Sequence, residues 1–238
     1  MFAFGAVAIV VGILWLTARR SPSTTSTSHR AETIPFRQAF SHVIRIKEVW
    51  LLGLFQFGIN AYFMGLLGYL PLYLRSSGWT PAGADTAIAA FGAAALVGVV
   101  PLSLLSDRIG LRKPFFYAGL IMVVVGVSLL TAWGGTAVWV GIIMAGLFHE
   151  IFFGISITMT IETKGVGPAY AGTALGLVMM LGGLGGFASP PIGNRLAEIQ
   201  PQMGLAFWLL MAIATLVVVL FLKETGWKKG ILSLEKAA

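Results

Sequence analysis

The chain has 238 residues, 57% of them hydrophobic and only 11% charged, with a mean hydropathy of +0.88. A soluble domain carries about twice that share of charge, and surface-to-volume scaling gives it no core large enough to hide this much apolar surface. The net charge of +7 therefore reads as basic residues flanking membrane spans, not as a nucleic-acid surface, and the absence of cysteine excludes disulfides, thiolate catalysis and cysteine-based metal sites.

Seven apolar segments follow in chain order, at about 1–17, 49–74, 86–105, 115–133, 137–160, 173–193 and 203–222. A hydrocarbon core about 30 Å thick needs about 20 apolar residues per helix. Backbone polar groups must pair inside each helix, because lipid offers them no partner. None of the segments alternates with the period of a barrel strand, and each is too long for one. The expected architecture is an all-α integral membrane protein. Residues 1–17 form a partial transmembrane helix, 18–47 a cytoplasmic linker, 48–222 a six-helix transmembrane bundle and 223–238 a cytoplasmic tail.

The first segment starts at Met1 with no charge ahead of it and carries Arg19 and Arg20 behind it. A signal peptide has the opposite order. The segment reads as the tail of a helix whose beginning is missing, or as a reverse-oriented anchor. The linker contains the polar run SPSTTSTSHR, a flexible composition. Its end, IPFRQAFSHVIRIK over 34–47, mixes apolar and basic residues and reads as a short helix at the cytoplasmic surface or as plain linker.

Lys and Arg set the orientation. With the N-terminus outside, one face carries Arg19, Arg20, Arg30, Arg37, Arg45, Lys47, Arg108, Arg112, Lys113, Lys164, Lys223, Lys228, Lys229 and Lys236. The other carries only Arg75 and Arg195, a split of 14 to 2 that places the C-terminus in the cytoplasm of a multi-pass cell-membrane protein. Trp15, Trp50, Trp79, Trp133, Trp139, Trp208 and Trp227 all stand near proposed span ends, as an aromatic belt requires.

A very short turn after the third segment reads Ser103-Leu-Leu-Ser-Asp107-Arg108-Ile-Gly110-Leu-Arg112-Lys113-Pro114. Gly110 permits a tight turn. Asp107 is expected to cap the next helix, and Arg108, Arg112 and Lys113 to hold the turn on the cytoplasmic side. This order of residues resembles the loop signature of the major facilitator superfamily, Asp-Arg-x-Gly-Arg-Lys, with two departures: Ser103 replaces the usual leading Gly and Leu111 the first Arg. The resemblance implies that 1–17 is the end of helix six, 18–47 the central loop and 48–222 helices seven to twelve. It also implies a substrate site at the midplane between two six-helix halves, a partner in the missing N-terminal half or a second copy, and a gate latched by Asp107 and Arg108. A trace of inverted repeat accompanies it: Pro101 precedes Asp107-Arg108 on one face, and Pro191 precedes Asn194-Arg195 on the other.

Glu150, beside His149, is the one charged residue deep in a span. Burying a charge there costs several kcal/mol, so such residues face a cavity or change protonation. At 100° per residue His149 shares a face with Ala145, Gly146, Ser156 and Thr160. The pair reads as substrate- or proton-binding, or as a structural hydrogen bond between helices. It also begins a zinc motif, His-Glu-x-x-His, but Phe153 stands at the second histidine's place and excludes it. Gln56 and Asn60, one turn apart, either bond a neighbouring helix or line the substrate path. Gly172 with Gly176 and Gly182 with Gly186 make two Gly-x-x-x-Gly spacings suited to close packing. With Pro190 and Pro191 they also suit a segment that bends.

These features point to secondary active transport of a small solute by alternating access. There is no phosphate-binding loop, so the energy source expected is an ion gradient, of protons or another coupling ion, or the substrate's own gradient. Nothing implies a cofactor or a metal. A seven-helix receptor or sensor is the alternative, although a retinal protein would need a buried lysine that these spans lack. A membrane enzyme would need a nucleophile–base pair, and only His149-Glu150 offers anything near one.

Overall fold

In lipid, a chain of this composition must satisfy its backbone within helices, and helices make up most of the described residues. The computed structural model describes residues 9–15, 34–132 and 135–226. Residues 9–15 are helical and form part of a separate unit. The remainder of segment 1–17, linker residues 18–33 and tail residues 227–238 lie outside the described residues, as do Trp133 and Trp227.

From residue 34 onward the helices are α1 (Phe36–Val43), α2 (Lys47–Ser76), α3 (Pro81–Ile109), α4 (Lys113–Ala132), α5 (Thr136–Leu147), α6 (His149–Glu162), α7 (Gly167–Ile199) and α8 (Pro201–Phe221). Among the described residues six stretches are long and apolar enough to cross a membrane: α2, α3, α4, α5 with α6, α7 and α8. The helices α3 and α7 extend well past their apolar segments, because their ends are polar but still helical. Thr80 caps α3, accepting a hydrogen bond from Gly83 N at 3.1 Å, with Pro81 in the first turn. Gly110 ends it in the left-handed conformation at φ 68°, where its N–H reaches Ser106 O. The fourth span is interrupted at Phe148, between α5 and α6.

Lipid is as apolar as leucine, so helix contact here depends on close van der Waals approach. The largest meeting is α2 against α7. A Cβ on Gly185 would lie 2.1 Å from Phe57 O, and one on Gly182 would lie 2.6 Å from Gln56 Cγ. Gly186 faces Met64 and Asn60. Similar backbone contacts join Gly126 of α4 to Gly141 of α5, and Gly146 of α5 to Phe91 O of α3. Aromatic rings fill the centre: Phe55 of α2 stacks on Phe116 of α4 at 4.0 Å and meets Phe152 of α6 edge-on.

Two expectations are corrected. Gly172 and Gly176 have nothing within 4 Å of an added Cβ, so the first Gly-x-x-x-Gly pair packs no helix among the described residues. Trp208 is fully buried, not part of a lipid-facing belt. Its ring fills the space left by Gly65 and Gly193, and its Nε1 donates to Ser189 Oγ, which donates to Ala61 O. Pro190 and Pro191 both lie inside an unbroken α7.

Gly185→Ala is expected to lower unfolding stability by about 1–3 kcal/mol, since backbone must move. Gly176→Ala, in open space inside the same helix, is expected to leave it unchanged or raise it by up to about 1 kcal/mol. Denaturant titration in detergent measures both, and equal effects would contradict the α2–α7 contact.

Candidate functional site

The polar residues singled out in the spans separate into three environments. Gln56 and Asn60 lie together on the α2–α7 contact, with Gly182 and Gly186. Asn60 Nδ2 donates to Gln56 O at 2.9 Å, one turn back on its own helix. Gln56 is buried, and its Oε1 has no hydrogen-bond partner among the described residues. Leaving a buried amide oxygen unpaired costs about 1–3 kcal/mol, which makes this acceptor a marked position.

His149 turns inward. Its Nδ1 lies 3.1 Å from Tyr62 Oη in a buried hydrogen bond to α2. Its ring stacks on Phe63 at 3.8 Å and lies 5.7 Å from Phe91. The face it shares with Ala145, Gly146, Ser156 and Thr160 is buried against neighbouring helices. Tyr62 was not singled out in the sequence, where nothing brings positions 62 and 149 together.

Glu150 turns the other way. It is exposed on the bundle surface and has no hydrogen-bond or ion-pair partner among the described residues. It lines an open cleft of about 450 Å³ with Phe63 and Leu67 of α2 and Ile88, Phe91, Gly92, Ala95 and Leu96 of α3. The adjacent pair is thus one interhelical strut and one carboxylate facing a cleft. Among the described residues no group of three His, Asp or Glu could hold a metal ion.

The charged turn after α3 carries the second cluster. Asp107 lies inside α3 and does not cap α4, contrary to expectation. It pairs instead with Arg112, whose side chain is mostly buried and also reaches Ser106 Oγ at 3.3 Å and Glu162 at 3.4 Å. Burial opposes the Arg112 charge, but hydrogen bonds and charge from Asp107 and Glu162 outweigh it and raise its pKa. The cap on α4 comes from Glu224, just past α8. Its carboxylate accepts from Arg112 N at 2.8 Å and Lys113 N at 2.9 Å, and from the N–H groups of Thr225 and Gly226 next to it in the chain. Lys113 Nζ in turn donates to Leu220 O and Leu222 O at the end of α8. Thr225 donates to Glu162, and Lys223 pairs with Glu48 of α2. Arg108 is exposed. At the same end His42 of α1 bonds Gly165 O at 2.8 Å and stacks on Tyr170.

The described residues thus form a multi-span helical bundle with a clefted face and a turn locked by charge. The family model described as Major Facilitator Superfamily matches residues 1–190 and again 76–236, and the chain belongs to that family. It is 27% identical over 177 residues to the MFS-type transporter olcL of Penicillium canescens, over 69% of this chain and 29% of that protein. Its fold matches the crystal structure of the MFS transporter FucP in the outward conformation with a TM-score of 0.74 at 17% identity, covering 91% of this chain and 53% of that one. The chain thus spans about half of the solved transporter and less than a third of the curated relative.

Glu224→Ala is expected to destabilise the bundle by about 1–2 kcal/mol, the usual cost of losing a helix cap. Thermal unfolding of the variant measures it, and an unchanged midpoint would contradict the cap.

Proposed function

We propose that this chain is the C-terminal half of a secondary active transporter that moves a small solute by alternating access. The observation that carries the reading is Glu150. A carboxylate midway along a span costs about 3 kcal/mol in hydrocarbon. On a lone bundle its face would meet lipid. On a bundle that matches half of a transporter fold, the same face meets a water-filled cavity opposite a second half. Gln56 and Asn60, on the α2–α7 contact, sit where a tilt of α7 would expose them to that cavity. Glu150 then serves as the site for a coupling proton or for substrate, and the opposing wall comes from an N-terminal half or a second copy.

The orientation we favour is N-terminus outside and C-terminus in the cytoplasm of the cell membrane, because in the sequence 14 of the 16 basic residues flank spans on the side of Arg112 and Lys113, and only Arg75 and Arg195 fall on the other. Asp107 and Arg108 then face the cytoplasmic opening. In that position the Asp107–Arg112–Glu162 cluster fixes the turn that closes against the other half. Gly172, Gly176, Pro190 and Pro191 belong to the helix that would flex.

Two outcomes test this. In native membranes, an antibody to the tail around Trp227–Lys236 is expected to find a polypeptide at about twice the 25.3 kDa of this chain. A band near 25.3 kDa would require a separate partner chain. In proteoliposomes of the native protein, Glu150→Gln is expected to remove the pH dependence of uptake. Unchanged pH-dependent uptake would falsify the proton role.

A further inference from the structure

We infer that the Glu150 cleft binds an organic cation with an apolar body, Glu150 acting as its counter-ion. The inference deepens the transporter reading and rests on it for the cleft facing water. The volume, about 450 Å³, suits a drug-sized molecule. Phe63, Leu67, Ile88, Phe91 and Leu96 supply apolar walls, and among the described residues Glu150 is the only polar side chain in the lining.

That chemistry selects by exclusion as well as by attraction. A sugar brings many hydroxyl groups, and among the described lining residues this wall offers them only Glu150, so their remaining partners would have to come from the opposing half. An anion would meet a carboxylate, with no compensating lysine or arginine among the described lining residues. A cation carrying aromatic or aliphatic groups meets one opposite charge and otherwise apolar contact.

The aromatic rings add to this preference. Phe63 and Phe91 lie 5.6 Å apart, tilted by 30°, beside the carboxylate. His149 stacks on Phe63 and is itself held by Tyr62. The Phe63 ring is therefore fixed in place before any ligand arrives. An ordered apolar wall beside the carboxylate costs a cation that carries aromatic groups little to pack against.

The test uses tetraphenylphosphonium as the probe and neutral triphenylphosphine oxide as its uncharged counterpart. Binding to the purified native polypeptide in nanodiscs is measured by calorimetry. The cation is expected to bind at least about tenfold tighter than the neutral compound. Glu150→Gln is expected to remove most of that difference while leaving the neutral compound unaffected. Glu150→Asp, which keeps the charge, is expected to retain part of it and controls for misfolding. Equal affinity for the two probes, or a Glu150→Gln variant that still prefers the cation, overturns the assignment. If that happens while uptake of the native substrate still depends on Glu150, the ligand class fails and the transporter reading stands. Cation-selective binding by a reconstituted protein that moves no solute would support the site and contradict transport.

Discussion

Two transmembrane helices gain nothing by hiding apolar surface from each other when the solvent is itself apolar, so their contact depends on how near their backbones can come. In this bundle the nearest approach is α2 against α7, where Gly182, Gly185 and Gly186 put one backbone almost on the other. The rest follows from it. With α7 on one side, α2 presents Tyr62 and Phe63 to α6, and those two residues fix His149. With His149 held inward, Glu150, about 100° further round the helix, lines the cleft beside Phe63 and Phe91.

The opposite demands on neighbouring residues explain how an apolar bundle can hold a charged site without losing its packing. The inward residue bonds within the protein core, and the outward one avoids burial altogether. At the loop end the same economy operates with charge. Arg112 is sunk among Asp107, Ser106 and Glu162, and Glu224 closes the free N–H groups of α4 from beyond α8. One carboxylate after the last span thereby ties the third span to the sixth.

The spans were legible in the sequence because hydropathy is a local property, and so was the turn at Gly110, which needs only its own backbone freedom. The family was legible for the same reason, since its signature lies in one short run of residues. What the sequence hid depends on distant partners. Asp107 stands close enough to α4 to read as its cap, but it belongs to the last turn of α3 and is taken by Arg112. The true cap lies 111 or 112 positions away. Gly172–Gly176 and Gly182–Gly186 have the same spacing, and only the position of α2 separates a packing pair from an open one. Trp208 stands near the start of its span and reads as belt, yet the missing side chains at Gly65 and Gly193 draw it inside. The shared face of His149, Ala145 and Ser156 was visible as a stripe, but whether a stripe meets a cavity or a helix is decided by its neighbour.

The most direct measurement is the solvent exposure of position 150 in the membrane. These 238 residues contain no cysteine, so Glu150→Cys introduces their only thiol. Thiosulfonate reagents react with ionised thiols, and a thiol in hydrocarbon does not ionise. With a membrane-impermeant cationic thiosulfonate, Glu150→Cys is expected to label readily, while Leu210→Cys, exposed on the apolar surface of α8, stays unlabelled. If Glu150→Cys proves as unreactive as Leu210→Cys, the carboxylate faces lipid and the cleft is not a solute pathway.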